Sequence, residues 1–234
     1  MKTTFRNFIA KREHPKELIF SICFFIAYCL CFIILEHRDV PYHLISFSLD
    51  QKIPFCAPFV LSYYTWYPYC FLILIIFFFI SEKDYLYAYR FMAIGMALFT
   101  ILNFIYPTGL DLRPESVPGN GLCASLVRAM YTVDTPTNVF PSLHVYNTIA
   151  MHAAIINSSY IREKLLLFCR GNQEKALRKC TIIYQISTII AIMIILSTLF
   201  IKQHSLVDVI GAIVLAGIVY FFMYAKSSPF RKMK

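Results

Sequence analysis

Long uncharged apolar runs, separated by short polar and basic stretches, organise this chain. Leu18 to Leu35 carries no charge, and neither does Ile53 to Ser81. Phe91 to Tyr106, Val139 to Asn157, Thr181 to Ile201 and Val209 to Ala225 follow. Runs of about 18 residues or more read as membrane-crossing helices. The pattern therefore predicts an all-α bundle of six spans, the third being the shortest. It divides the chain into a cytoplasmic interfacial segment (1–17), a six-span membrane domain (18–225) and a basic tail (226–234). The first run is too long for a removable signal peptide. It is followed by Glu36, His37, Arg38 and Asp39 in place of a small-residue cleavage site. Neither an internal repeat nor a low-complexity tract interrupts the pattern.

Two amphipathic stretches flank these runs. His43 to Phe59 alternates apolar and polar residues and contains Pro54 and Pro58. It reads as an amphipathic helix or re-entrant stretch on the outer leaflet, shielding a lipid entrance. Phe5 to Lys16 is basic and reads as an interfacial helix on the anionic inner surface.

Composition agrees with a membrane setting: 59% of residues are hydrophobic and only 15% charged, far less charge than a soluble domain carries. The net charge of +9 alone would suit nucleic acid, but its distribution points to a bilayer instead. Of the 22 lysines and arginines, 17 fall before the first span, between spans two and three, between four and five, or after the last. Only Arg38, Lys52, Arg113, Arg128 and Lys202 lie on the other side. The positive-inside rule then places both termini in the cytoplasm. No nucleic-acid or obligatory protein partner is called for. The eight cysteines show no CxxC pair and no zinc spacing, although Cys56 and Cys123 both fall in outer loops, where a disulfide is one option.

That orientation gathers chemistry at one depth. Arg113, Ser142, His144, Lys202, His204 and Asp208 all fall near the outer mouths of spans four and six. Ionisable residues at such positions are functional-site hypotheses by default. Spans four and six begin at the outer face, and helix N-termini favour phosphate. Pro141 suits a first helical turn, with Asn138 or Thr137 before it as the cap. Ser142 puts a hydroxyl at that tip, and His144 lies in the first turn. His204 and Asp208 are four apart and share a helix face. A carboxylate so placed orients one imidazole nitrogen and leaves the other as nucleophile or base. Arg113 suits bidentate phosphate binding and Lys202 adds a second cation.

These residues resemble the type 2 phosphatidic acid phosphatase superfamily. Its motifs are Lys-x6-Arg-Pro, Pro-Ser-Gly-His and Ser-Arg-x5-His-x3-Asp. Arg113-Pro114 matches the end of the first motif. Pro141-Ser142-Leu143-His144 matches the second except at its glycine, and Ser197, His204 and Asp208 match the third except at its arginine. The Phe-Pro-Ser-Leu-His form is most similar to the inositol phosphorylceramide synthase branch. The likeness covers roughly residues 100–215. It implies that His204 attacks phosphorus to form a phosphohistidine, Asp208 orients it and His144 protonates the leaving oxygen. It also implies that Arg113, Ser142 and Lys202 hold the phosphoryl oxygens, with no metal or other cofactor. Tyr106 stands at the motif's lysine and Thr198 at its arginine, so two cations of the pattern are missing. These losses read as a change of substrate or acceptor.

Simpler readings stand beside these. His37, His43 and His152 read as ordinary interfacial polar residues, and Tyr63, Tyr64, Trp66 and Tyr67 as an aromatic belt. Asp111, Glu115 and Asp134 read as solvated loop residues, with shaping the outer loop or contacting an acceptor as the alternative, and Arg128 as a solvated or headgroup contact. Lys202 suits a snorkelling anchor as well as a phosphate ligand. His204, Asp208 and His144 also suit zinc by type, but the neighbouring lysine and arginine favour an anion.

The expectation is thus an integral membrane lipid-phosphate phosphatase acting at the outer face. Headgroup phosphotransferase is the alternative, and a non-catalytic lipid-binding or transport protein the third. The compact chain, without a visible sorting extension, fits a bacterial plasma membrane.

Overall fold

A computed structural model describes residues 12–224. Most of the basic stretch 5–16 and all of the tail 226–234 lie outside the described residues.

The fold is helical throughout. Helix α1 spans Pro15–Glu36, α2 Val60–Tyr64, α3 Trp66–Ile80, α4 Glu82–Ile105 and α5 Leu122–Val133. Helix α6 spans Leu143–Asn157, α7 Ser159–Phe168, α8 Gln173–Phe200 and α9 Leu206–Tyr224. Local chemistry sets several starts. Ser81 accepts from Asp84 N at 3.3 Å, Ser142 from Val145 N at 3.3 Å and Asn172 from Lys175 N at 2.9 Å, each satisfying an orphan N–H of a first turn.

Among the described residues, five helical segments are long and apolar enough to cross a membrane: 15–36, 57–80, 82–105, 173–200 and 206–224. Large apolar side chains such as Phe20, Phe104 and Phe222 are exposed on their outer faces, as expected where the surroundings are lipid. The run read as the shortest span proves to be a 24-residue helix, α4, because Ser81 caps it well before Phe91. Its early charges are accommodated: Arg90 pairs with Glu17, and Ser158 Oγ donates to Asp84 at 2.5 Å. The run read as span four gives only the 15-residue α6, about 22 Å long at 1.5 Å per residue. Residues 138–142 are drawn out of the helix by other bonds. Asn138 sits in the left-handed region at φ 52°, and the N–H groups of Val139 and Phe140 both donate to Thr108 Oγ1 at 3.0 Å.

Helix α6 is the centre of the bundle, packed by α3, α4, α8 and α9. Val145, Tyr146, Ala150 and Met151 on it are wholly buried. Two glycines permit its close approach to neighbours. A Cβ on Gly95 of α4 would lie 2.0 Å from the Tyr146 ring, and one on Gly211 of α9 would lie 2.4 Å from Phe140. Gly95→Ala is expected to destabilise the fold by about 1–3 kcal/mol, since Tyr146 is enclosed and its hydroxyl is bonded to Phe91 O at 2.9 Å. Denaturant unfolding in detergent checks this. An unchanged midpoint would mean the two helices separate freely.

The connectors at one end of the bundle are tied together. Strand β1 (His43–Leu44) pairs in parallel with β2 (Thr108–Gly109), and Gly109 bridges Thr137. Asn103 donates to Phe140 O at 2.7 Å and accepts from Thr108 Oγ1 at 2.7 Å. This lattice holds the approach to α6. The stretch 43–59 is not an amphipathic helix: it comprises β1, two 3-10 turns (Asp50–Lys52, Ala57–Phe59) and irregular chain. The buried Asp50 pulls it inward, accepting from its own Phe47 N and from groups at the start of α9.

Candidate active site

The starts of α6 and α9 meet, with Ser142 N donating to Asp208 O at 3.2 Å. Two residues into α6 stands His144. Just ahead of α9 stands His204, and the two imidazole rings are 5.7 Å apart between centroids. His204 Nδ1 lies 3.4 Å from Asp208 Oδ2. Asp208 is wholly buried, and the same oxygen accepts from Ser205 N at 2.8 Å, so the carboxylate also caps its helix. The pair His204–Asp208 is thus brought together across the turn that leads into α9, with His204 Nδ1 facing the carboxylate but not hydrogen-bonded to it.

His144 is held by groups that the sequence reading placed elsewhere. The Tyr63 and Trp66 rings each pack against it at 4.4 Å between centroids. Tyr63 Oη lies 3.5 Å from Nδ1 and donates a short hydrogen bond to the Asp134 carboxylate. Asp134 Oδ2 is in turn 4.0 Å from His144 Nε2. Tyr63 and Trp66 are therefore the walls of the site and not a membrane belt, and Asp134 is partly enclosed rather than a solvated loop residue. A carboxylate four residues before Asn138, in a loop leading to a histidine-bearing helix tip, is the signal that could have found it.

Asp50 has a larger structural part than its place in an alternating stretch suggested. Its carboxylate accepts from Ser205 Oγ at 2.6 Å and Leu206 N at 2.8 Å, clamping the first turn of α9. The single acid of a proline-containing stretch that alternates apolar and polar residues was its only mark in the sequence.

Three residues expected to hold phosphate are engaged otherwise. Lys202 donates to Asp50 O at 2.6 Å and Ile53 O at 2.5 Å. Burial pushes its ammonium down from the ordinary value, with Asp50 opposing. Its φ of 56° turns the chain there and directs the side chain into the 50–53 loop. Arg113 donates to Tyr131 O at 3.2 Å, to Gln203 Oε1 at 2.6 Å and to Asp134 O, and lies over the Tyr131 ring at 4.0 Å. Burial likewise pushes its guanidinium down, opposed first by Tyr131 and then by Asp134. Ser142 is fully buried as the N-cap of α6. Lys202 and Arg113 are tied into the scaffold because buried donors must be paired and backbone carbonyls of the connectors reach them, while Ser142 Oγ accepts from Val145 N at the tip of α6. Tyr106, at the missing lysine position, stacks on His43 with centroids 3.9 Å apart. Thr198 is buried, its hydroxyl bonded to Ile195 O at 2.8 Å.

Lys202→Met is expected to cost about 1–3 kcal/mol of stability by leaving two connector carbonyls unpaired. Thermal unfolding in detergent measures it. A raised KM with unchanged stability would return Lys202 to the role of phosphate ligand.

Beside the histidines opens a cavity of about 250 Å³, bordered by His144, His204, Gln203, Asp134, Glu36 and Trp66, among others. Neither Arg113, Ser142, Lys202 nor Asp208 lines it. Among the described residues no group of three or more His, Cys, Asp and Glu side chains is arranged to hold a metal ion. Cys56 and Cys123 are both free thiols. No protein-family model, curated protein or solved structure matches this chain.

Proposed function

We propose that this chain is an integral membrane phosphatase of the type 2 phosphatidic acid phosphatase kind, cleaving a lipid phosphoester through a phosphohistidine. The observation that carries the reading is the His144–His204 pair, 5.7 Å apart at the meeting helix tips, with Asp208 3.4 Å from His204 Nδ1. In this reading the six spans of that family include α6, completed by 139–142. The basic residues keep both termini inside and the histidines at the outer face of a bacterial plasma membrane.

The chemistry runs in two halves. His204 Nε2 donates its electron pair to phosphorus, and the bond from phosphorus to the leaving oxygen breaks. His144, in its protonated form, gives its proton to that oxygen. Asp208 stabilises the charge gathered on His204. Water then attacks the phosphohistidine, losing its proton to His144 as the P–N bond breaks, and phosphate leaves with His204 restored. Asp134 and Tyr63 orient His144 for both proton movements.

Transfer to an alcohol is the second reading. It is favoured by the aromatic lining of the cavity, which offers room for an acceptor headgroup beside the histidines. The two readings share the first half-reaction. Purified protein in detergent is tested without added metal on a panel of lipid phosphates and phosphodiesters, with and without added alcohols. Phosphate release marks hydrolysis, and a new phosphodiester marks transfer. Neither product from any member of the panel would remove the enzyme reading and leave lipid binding or transport.

A further inference from the structure

The cavity beside the histidines carries the wrong charge for a purely anionic ester. Two carboxylates, Glu36 and Asp134, lie in its wall, and among the described residues no lysine or arginine lines it. Neither carboxylate forms an ion pair with a lysine or arginine among the described residues; Arg113, behind the wall, feels both charges but bonds Asp134 only at its backbone carbonyl. Glu36 is held by neutral donors only, Asn138 Nδ2 at 3.0 Å and Thr135 Oγ1. The rest of the wall is rich in rings: Tyr28, Phe32, Tyr67 and Phe99 join Trp66 there. Tyr28 stacks on Phe32 at 6.1 Å and Phe32 on Phe99 at 6.4 Å between centroids.

A second, independent feature lies in the same wall. Asn138 is only 4% exposed, and its Oδ1 has no hydrogen-bond partner. A buried acceptor left unpaired is costly unless something supplies a donor. Aromatic faces, carboxylates and a spare acceptor share one complement, an ammonium group. Ring faces attract it through their quadrupole, most strongly when water is excluded, and the carboxylates neutralise it.

We propose that this cavity seats an ammonium group of the substrate, so that the enzyme acts on a zwitterionic phosphoester whose amine lies a few bonds from phosphorus. The proposal rests on the phosphoester reading above and gives it a substrate class. The substrate brings its own cation, which offsets the carboxylates and takes the place of the phosphate-binding lysine and arginine turned into the scaffold. Such an amine belongs either to the headgroup, as in a phosphoethanolamine ester, or to the lipid, as in a sphingoid-base phosphate.

Trp66 is the single tryptophan of the chain and lines the cavity. Its fluorescence therefore reports occupancy without turnover. The protein in a non-ionic detergent is titrated with hexadecyl phosphoethanolamine, a sphingoid-base phosphate and amine-free hexadecyl phosphate. At least one amine probe is expected to bind about tenfold or more tightly than hexadecyl phosphate, and the tighter of the two shows which side carries the amine. Glu36→Gln, which keeps an acceptor oxygen, is expected to erase most of that preference, and Phe32→Leu to reduce it. Equal or tighter binding of hexadecyl phosphate would overturn the proposal, as would a preference that survives in both variants. Turnover of the same probes separates the two ideas. Amine-selective binding without His204-dependent turnover removes the phosphoryl-transfer reading, while His204-dependent turnover without amine preference removes only the ammonium seat.

Discussion

His204→Ala is expected to abolish phosphoester cleavage while the protein remains folded. The residue has a carboxylate 3.4 Å away and a place on the cavity wall. Loss of a nucleophile removes the covalent path altogether, so turnover should fall by about three orders of magnitude or more. His144→Ala is expected to fall by about 10²–10⁴-fold, the usual worth of a general acid–base group. The His144 loss should be partly recovered with a substrate whose leaving group needs no proton, such as an aryl phosphate, and the His204 loss should not. Phosphate release measured on lipid and aryl substrates tests the assignment. If His204→Ala keeps substantial turnover, or if the aryl ester rescues it and not His144→Ala, the roles are wrong.

Asp50→Ala is expected to give the largest loss of stability of any single change at this end of the bundle, about 3 kcal/mol or more. The carboxylate is 2% exposed and accepts from Phe47 N, Ser205 Oγ and Leu206 N. Hydrogen bonds to a charged group each contribute about 1.5–3 kcal/mol, and their removal leaves a helix-tip N–H unpaired. The negative charge at the start of α9 also complements the helix dipole. Asp50→Asn should retain part of the stability, since an amide oxygen accepts without the charge. His204 immediately precedes the clamped turn, so turnover is expected to fall alongside stability. Unfolding midpoints and phosphate release from the three proteins check both expectations. A stable, fully active Asp50→Ala would show that the 43–59 connector is dispensable to the site.

Much of the frame was legible from periodicity. Four of the five spanning segments overlie the runs that start at Leu18, Ile53, Thr181 and Val209, because burial in lipid demands length and apolarity that few other structures need. Helix α4 was legible in position but not in extent. Its first turns are charged, and partners distant in sequence make those charges acceptable: Glu17 for Arg90, Ser158 for Asp84, and the N–H groups of Glu13 and His14 for Glu82. Helix α6 is shorter than its apolar run because Thr108, about thirty residues upstream, takes two of its N–H groups.

The site divides in the same way. His204 and Asp208 were legible because their relation is local: a separation of four residues keeps the two side chains close, here across the turn into α9. His144 was legible from its place in a helix tip. By itself the chain determined a set of apolar membrane helices and two histidines at the starts of two of them. The tertiary structure alone decided what surrounds those histidines. Tyr63 reaches Asp134 across 71 positions and Lys202 reaches Asp50 across 152. Glu36 comes to the same cavity from the end of α1. Residue type at such separations says only that a group seeks a partner. Which partner it finds depends on which helices pack together, so residues expected to hold phosphate are bonded into the scaffold, while Glu36 and the acids and rings read as loop and belt residues surround the histidines.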